Sequence, residues 1–183
     1  MSGIAPGSRR DVGLATWMAA HVAGRVAGTG PLNLFLVLGR HRRLFRGWLR
    51  FAGRLMPGGR LPRRETELVI LRVAHLRRCT YELAHHTRLG ARAGLSDVDI
   101  ARVASGPAFP GWTPRERALL AATDLLHHEQ DLDDAAWTAL SAHLDERESV
   151  EFCLLVAHYE MLATVIAALR IQPEDAYAGD LSL

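Results

Sequence analysis

Lysine is absent from this 183-residue chain, and all 22 of its basic residues are arginine. So uniform a choice reads as coding bias and carries no argument for phosphate binding. Acidic residues are scarce in the first half. Residues 1–92 hold 17 Arg against 4 Asp and Glu, and residues 93–183 hold 5 against 16, for formal balances of +13 and −11. Opposed halves of this kind complement each other within a fold or across subunits. A nucleic-acid partner would call for a basic surface without such a counterpart, and no DNA- or RNA-binding motif accompanies it, so none is expected. Cysteine is nearly absent too: Cys79 and Cys153 lie in unlike contexts, which excludes a disulfide framework. The longest apolar runs, such as Val150 to Leu169, are interrupted by charge, here Glu151 and Glu160 with His158, so no membrane span is expected. The N-terminus carries arginines but no apolar stretch leading to a cleavage site, and the expected location is cytoplasmic.

An apolar fraction of 49% over this length suits one domain with a sizeable core. Almost nothing alternates with period two, so the fold class is all-α, with six to eight helices. Residues 1–10 lack a periodic pattern and are expected to be disordered, residues 11–172 to form a single helical domain, and residues 173–183 a tail. The first helix is expected over Asp11–Val26. After a break at 28–33, Pro31 and Asn33 open a second helix that runs on to Leu55. In it Arg43, Arg46, Arg50 and Arg54 line one stripe and Leu44, Trp48, Phe51 and Leu55 another, a solvated arginine face over an apolar one. The functional alternative is that one or two of these arginines close over an anionic substrate. Ser96 with Asp99, and Thr113 with Glu116, are N-cap signatures that start helices at Asp97 and Pro114, and the last helix spans Glu146 to Leu169.

The chemistry is densest from Glu67 to His86. If Cys79 to Leu89 is helical, Cys79, Glu82 and His86 fall at i, i+3 and i+7 and share one face, with Glu67 in reach from the preceding helix. Tyr81 lies beside them, and His85, set about 100° round the helix, reads as a surface or interface residue. In the last helix His158 and Tyr159 sit next to Met161, a combination that suits an apolar substrate cavity. His127 and His128 end a helix, where a cation meets the negative end of the dipole. Cys79, Glu82, His86 and His158 match no standard zinc spacing, so no metal is expected.

Glu67, a Cys twelve residues on at Cys79, and His86 seven beyond that resemble, in type and spacing, the signature of the carboxymuconolactone decarboxylase superfamily, which includes the alkyl hydroperoxidase D-like proteins. The likeness continues into GARAGLSDVDIARV and covers roughly residues 31 to 172. It implies the all-helical alkyl hydroperoxidase D-like fold, a homo-oligomer, trimeric or hexameric, and a proton-relay pair of Glu67 and His86. The redox members carry a second cysteine where this chain has Glu82. Peroxide reduction by a CxxC pair needs one thiolate to attack and a second thiol to resolve the sulfenic acid, and no local resolving thiol is present. What remains is acid/base apparatus, implying a cofactor-independent decarboxylase, or a related lyase or isomerase, acting on a small carbon-acid substrate. Glu82 or His86 would serve as base, Glu67 as orienting partner, Tyr81 as hydrogen-bond donor, and an arginine as clamp, with His158 and Tyr159 lining the substrate site. Two alternatives stay open: a thiol-dependent peroxidase or disulfide reductase using Cys79, and a non-catalytic oligomeric binding or stress protein.

Overall fold

The computed structural model describes residues 3–174; the end of the tail expected at 173–183 lies outside the described residues. Ten α-helices form among the described residues: α1 Arg9–Val12, α2 Leu14–Ala27, α3 Asn33–Leu38, α4 Arg42–Leu55, α5 Arg63–Leu76, α6 Thr80–Arg92, α7 Asp97–Arg102, α8 Pro114–His128, α9 Asp134–Ser141 and α10 Glu146–Leu169. A 3-10 stretch, Val103–Ala108, follows α7, and no strand forms among the described residues.

The all-α expectation holds, with more helices than the six to eight expected. Two glycines account for the difference. Gly13 adopts φ +84 and separates α1 from α2, which the apolar period had merged. Gly39 begins the turn that separates α3 from α4, and a Cβ there would stand 2.4 Å from the Thr16 methyl and 2.6 Å from the Phe35 carbonyl. The stripes of α4 also differ from expectation. Its arginines at 43, 46, 50 and 54 are exposed, but so are Leu44 and Phe51, while Phe45 is buried against Phe35 and Trp48. The aromatic cluster, more than the apolar count, sets the buried side.

Within the span read as one domain the chain forms two compact units, one running through Arg50 and resuming at Ile166, the other Phe51–Val165. In the first, the segment expected to be disordered carries backbone bonds from Ile4 N–H to the Leu169 carbonyl and from Gly7 N–H to the Leu36 carbonyl.

The second unit is organised around α5, whose residues Thr66 to Ala74 are all buried. Leu68 and Leu71 pack with Leu95, Val103, Trp112 and Leu120 in one core cluster, each such side chain contributing about 1.5–3 kcal/mol by burial. Gly90 lets α6 come close: a Cβ there would meet Leu95 at 2.9 Å and Leu71 at 3.3 Å. Both N-caps read from sequence form, with Ser96 accepting from Asp99 N–H and Thr113 from Glu116 N–H. By length and composition α10 is long and apolar enough to cross a membrane. It buries Phe152, Leu155, Val156 and Tyr159, and its Glu151 accepts the backbone N–H groups of Arg60 and Leu61.

Candidate active site

Burial of α5 from Thr66 to Ala74 leaves Glu67 at zero exposure, so its carboxylate must find partners inside the protein. It finds His86 on α6, whose Nδ1–H donates to Oε2 over 2.6 Å. The other ring nitrogen, Nε2, lies 3.2 Å from Glu82 Oε2, one turn back on the same helix. One buried imidazole is thus held between two buried carboxylates. Burial pushes its pKa down, but the hydrogen bonds and charges of Glu67 and Glu82 outweigh that and raise it from 6.5 to about 9. His86 is therefore an imidazolium at neutral pH, which makes it a proton store and not the resting base.

Arg63, one turn before Glu67, extends the row: its Nη2 stands 2.6 Å from Glu67 Oε1, a close approach of opposite charges without the alignment of a hydrogen bond. Its position at the start of a helix amid so many arginines gave no reason to single it out, though the i, i+4 spacing to Glu67 was the available signal. At the other end, Glu82 Oε1 is buried and has no hydrogen-bond partner.

Tyr159 stands edge-on to the His86 ring, with centroids 5.2 Å apart, and its hydroxyl donates to the Met56 thioether over 3.7 Å. Burial, then Glu82 and Glu67, hold its pKa well above the ordinary value, so it stays a neutral phenol. His158 packs against Tyr159 and Phe51, each 5.3 Å between centroids, and burial lowers its pKa against an opposing pull from Glu82.

Of the residues proposed from sequence, the structure brings together Glu67, Glu82, His86, His158 and Tyr159. Tyr81 is placed differently: its ring stacks on His85 at 4.4 Å, and His85 Nδ1 bonds its carbonyl. His85 is buried, against the expectation of a surface or interface position. Cys79 sits at the N-cap of α6 and is buried; burial raises its pKa despite backbone N–H groups of Glu82 and Tyr81 that lower it. A raised thiol pKa leaves little thiolate for nucleophilic attack. Cys79 and Cys153 are both free thiols. His127 and His128 lie in the last turn of α8 as expected, and His127 also bonds Glu160 Oε1 on α10 at 2.7 Å. Among the described residues no group of three His, Cys, Asp or Glu is arranged to hold a metal ion.

Residues 42–125 match the carboxymuconolactone decarboxylase family. No curated protein matches the chain. Among solved structures it is similar to an uncharacterized peroxidase-related protein from Ralstonia eutropha JMP134 with an alkylhydroperoxidase AhpD core, at TM-score 0.80 and 18% identity over 96% of this chain and 95% of that one. A peroxidase-related protein from Silicibacter sp. TM1040 gives TM-score 0.79 and 16% identity over 91% and 88%. The debrominase Bmp8, as a cysteine-to-alanine variant in complex with 2,3,4-tribromopyrrole, gives TM-score 0.80 and 16% identity over 94% and 92%.

Proposed function

We propose that this chain, whose residues 42–125 match the carboxymuconolactone decarboxylase family, is a cofactor-independent enzyme that transfers protons on a small carbon acid. The observation that carries the reading is the charged His86 held between Glu67 and Glu82, with one carboxylate oxygen of Glu82 left unbonded. Glu67 fixes the ring through Nδ1. Glu82 Oε1 accepts a proton from substrate carbon. In an isomerisation the protonated Glu82 returns that proton to another carbon of the enolate; in a decarboxylation no proton is abstracted, and the proton on His86 Nε2 passes to Glu82 and on to the enolate. In a decarboxylation the C–C bond breaks, its electron pair stays on the substrate as the enolate, and that carbon takes the proton; solvent recharges His86. An isomerisation uses the same parts without loss of CO2.

The buried Cys79, with Glu82 in place of a resolving thiol, weighs against the peroxidase alternative. The reading includes a homo-oligomer, trimeric or hexameric, supported by the apolar stripe that α10 exposes at Val150, Leu154 and Met161, which a second copy would cover. Light scattering of purified protein checks this, and a monomer at micromolar concentration would refute it. The complex of a similar fold with a bromopyrrole supports a small ring-shaped substrate.

The activity is tested by incubating the protein with enolisable lactones and keto acids in D2O and following deuterium entry and CO2 release, beside peroxide consumption with dithiothreitol. Exchange lost in Glu82→Gln and kept in Cys79→Ser supports the reading. Sustained peroxide turnover that depends on Cys79 refutes it.

A further inference from the structure

Two hydrogen-bond donors near this relay are poorly used. Arg63 reaches from solvent to Glu67 with its side chain 39% exposed, yet its Nη1 is buried and has no hydrogen-bond partner. The Tyr159 hydroxyl has as its partner the Met56 sulfur at 3.7 Å, and a thioether is a weak acceptor. Buried donors are normally satisfied, so each one that is not calls for an explanation, and a polar group of a substrate supplies one here. The Tyr159 phenol lies within the electrostatic reach of Arg63, Glu67 and Glu82 alike, so the two donors and the relay occupy one neighbourhood.

We propose that Arg63 and Tyr159 form an oxyanion-binding pocket beside Glu82, which takes the carboxylate or enolate oxygen of the substrate and displaces the Met56 thioether from Tyr159. Charge supports this occupant. Arg63 and the imidazolium of His86 balance Glu67 and Glu82, so a negative oxygen enters a site with no formal net charge and meets N–H and O–H donors. The proposal refines the acid/base reading by naming what holds the substrate's charge during proton transfer.

Binding without turnover tests it, so its failure is distinct from failure of the enzymatic reading. Acetate and its neutral isostere acetamide are titrated calorimetrically into the full chain at pH 7 and constant ionic strength. Acetate is expected to bind at least about tenfold more tightly than acetamide. Tyr159→Phe, which removes only the hydroxyl, should weaken acetate about fivefold, and Arg63→Gln about tenfold or more, with acetamide unaffected. Should Arg63→Gln fail to fold, Tyr159→Phe decides alone. Equal affinities for acetate and acetamide, no binding of either, or acetate binding that ignores both substitutions would overturn the pocket; the last would mean adsorption on surface arginines.

Discussion

Helix α5 carries two buried charged side chains five residues apart, and they are treated in opposite ways. Every nitrogen of Arg72 has a partner: Nε and Nη2 reach the two Asp124 oxygens at 2.6 and 2.8 Å, and Nη1 donates to the carbonyls of Val103 and Ala104, each at 2.9 Å. Gly106 beside it has φ +58 and no room for a Cβ, which would stand 2.6 Å from Nη2. Around Glu67 the accounting stops short. The row from Arg63 through Glu67 and His86 to Glu82 ends in a bare guanidinium nitrogen at one end and a bare carboxylate oxygen at the other. A closed network of this sort fastens α5 to α8 and the 3-10 stretch. An open one retains donors and acceptors for something that is not part of the chain.

The contrast is broken most forcefully through function. Glu82→Gln keeps the shape of the side chain and should lower turnover about 10²–10⁴-fold, as expected for loss of a general acid–base group, while costing less stability than any change at Arg72; deuterium exchange and denaturant melts read the two. Arg72→Met should do the reverse, lowering unfolding free energy by about 3–4 kcal/mol through an unpaired Asp124 and two abandoned carbonyls. Any turnover lost there should track the unfolded fraction.

The pH dependence sharpens it further. Because the folded pKa of His86 is raised from 6.5 to about 9, its contribution to stability is complete below pH 6.5 and is lost as pH rises through about 9. The full contribution is about 3 kcal/mol, at 1.36 kcal/mol per unit. Melting curves from pH 6 to 10 should show that decline in the native chain and lack it in His86→Gln. The smallest effect is expected of Cys79→Ser: activity within about twofold, and a stability loss of about 1 kcal/mol from a polar atom in a buried place.

The sequence disclosed the trio at Glu67, Glu82 and His86 because helical spacing is local arithmetic, and it disclosed α7, α8 and α10 because Ser96, Thr113 and the acidic run at Glu146 are capping chemistry within one turn. What escaped depends on contacts made across the chain. Tyr159 meets Met56 from 103 positions away, and nothing in either neighbourhood marks the pairing. The Tyr81–His85 stack is different: it follows the same i, i+4 spacing within α6 that pairs Glu82 with His86, and was legible by that rule. The breaks at Gly13 and Gly39 escaped because an isolated glycine is tolerated inside a helical pattern and does not by itself announce a break. Likewise, whether His86 serves as base or acid cannot be read from spacing, since two carboxylates at hydrogen-bond distance decide it.

That protonation state is the centre of the account, and nuclear magnetic resonance of the chain labelled with nitrogen-15 at its histidine rings measures it directly, His86 being assigned by its loss in His86→Gln. An imidazolium with both ring nitrogens protonated at pH 7, titrating near pH 9, is the expected result. A His86 that is neutral at pH 7, titrating at or below 6.5, would contradict it.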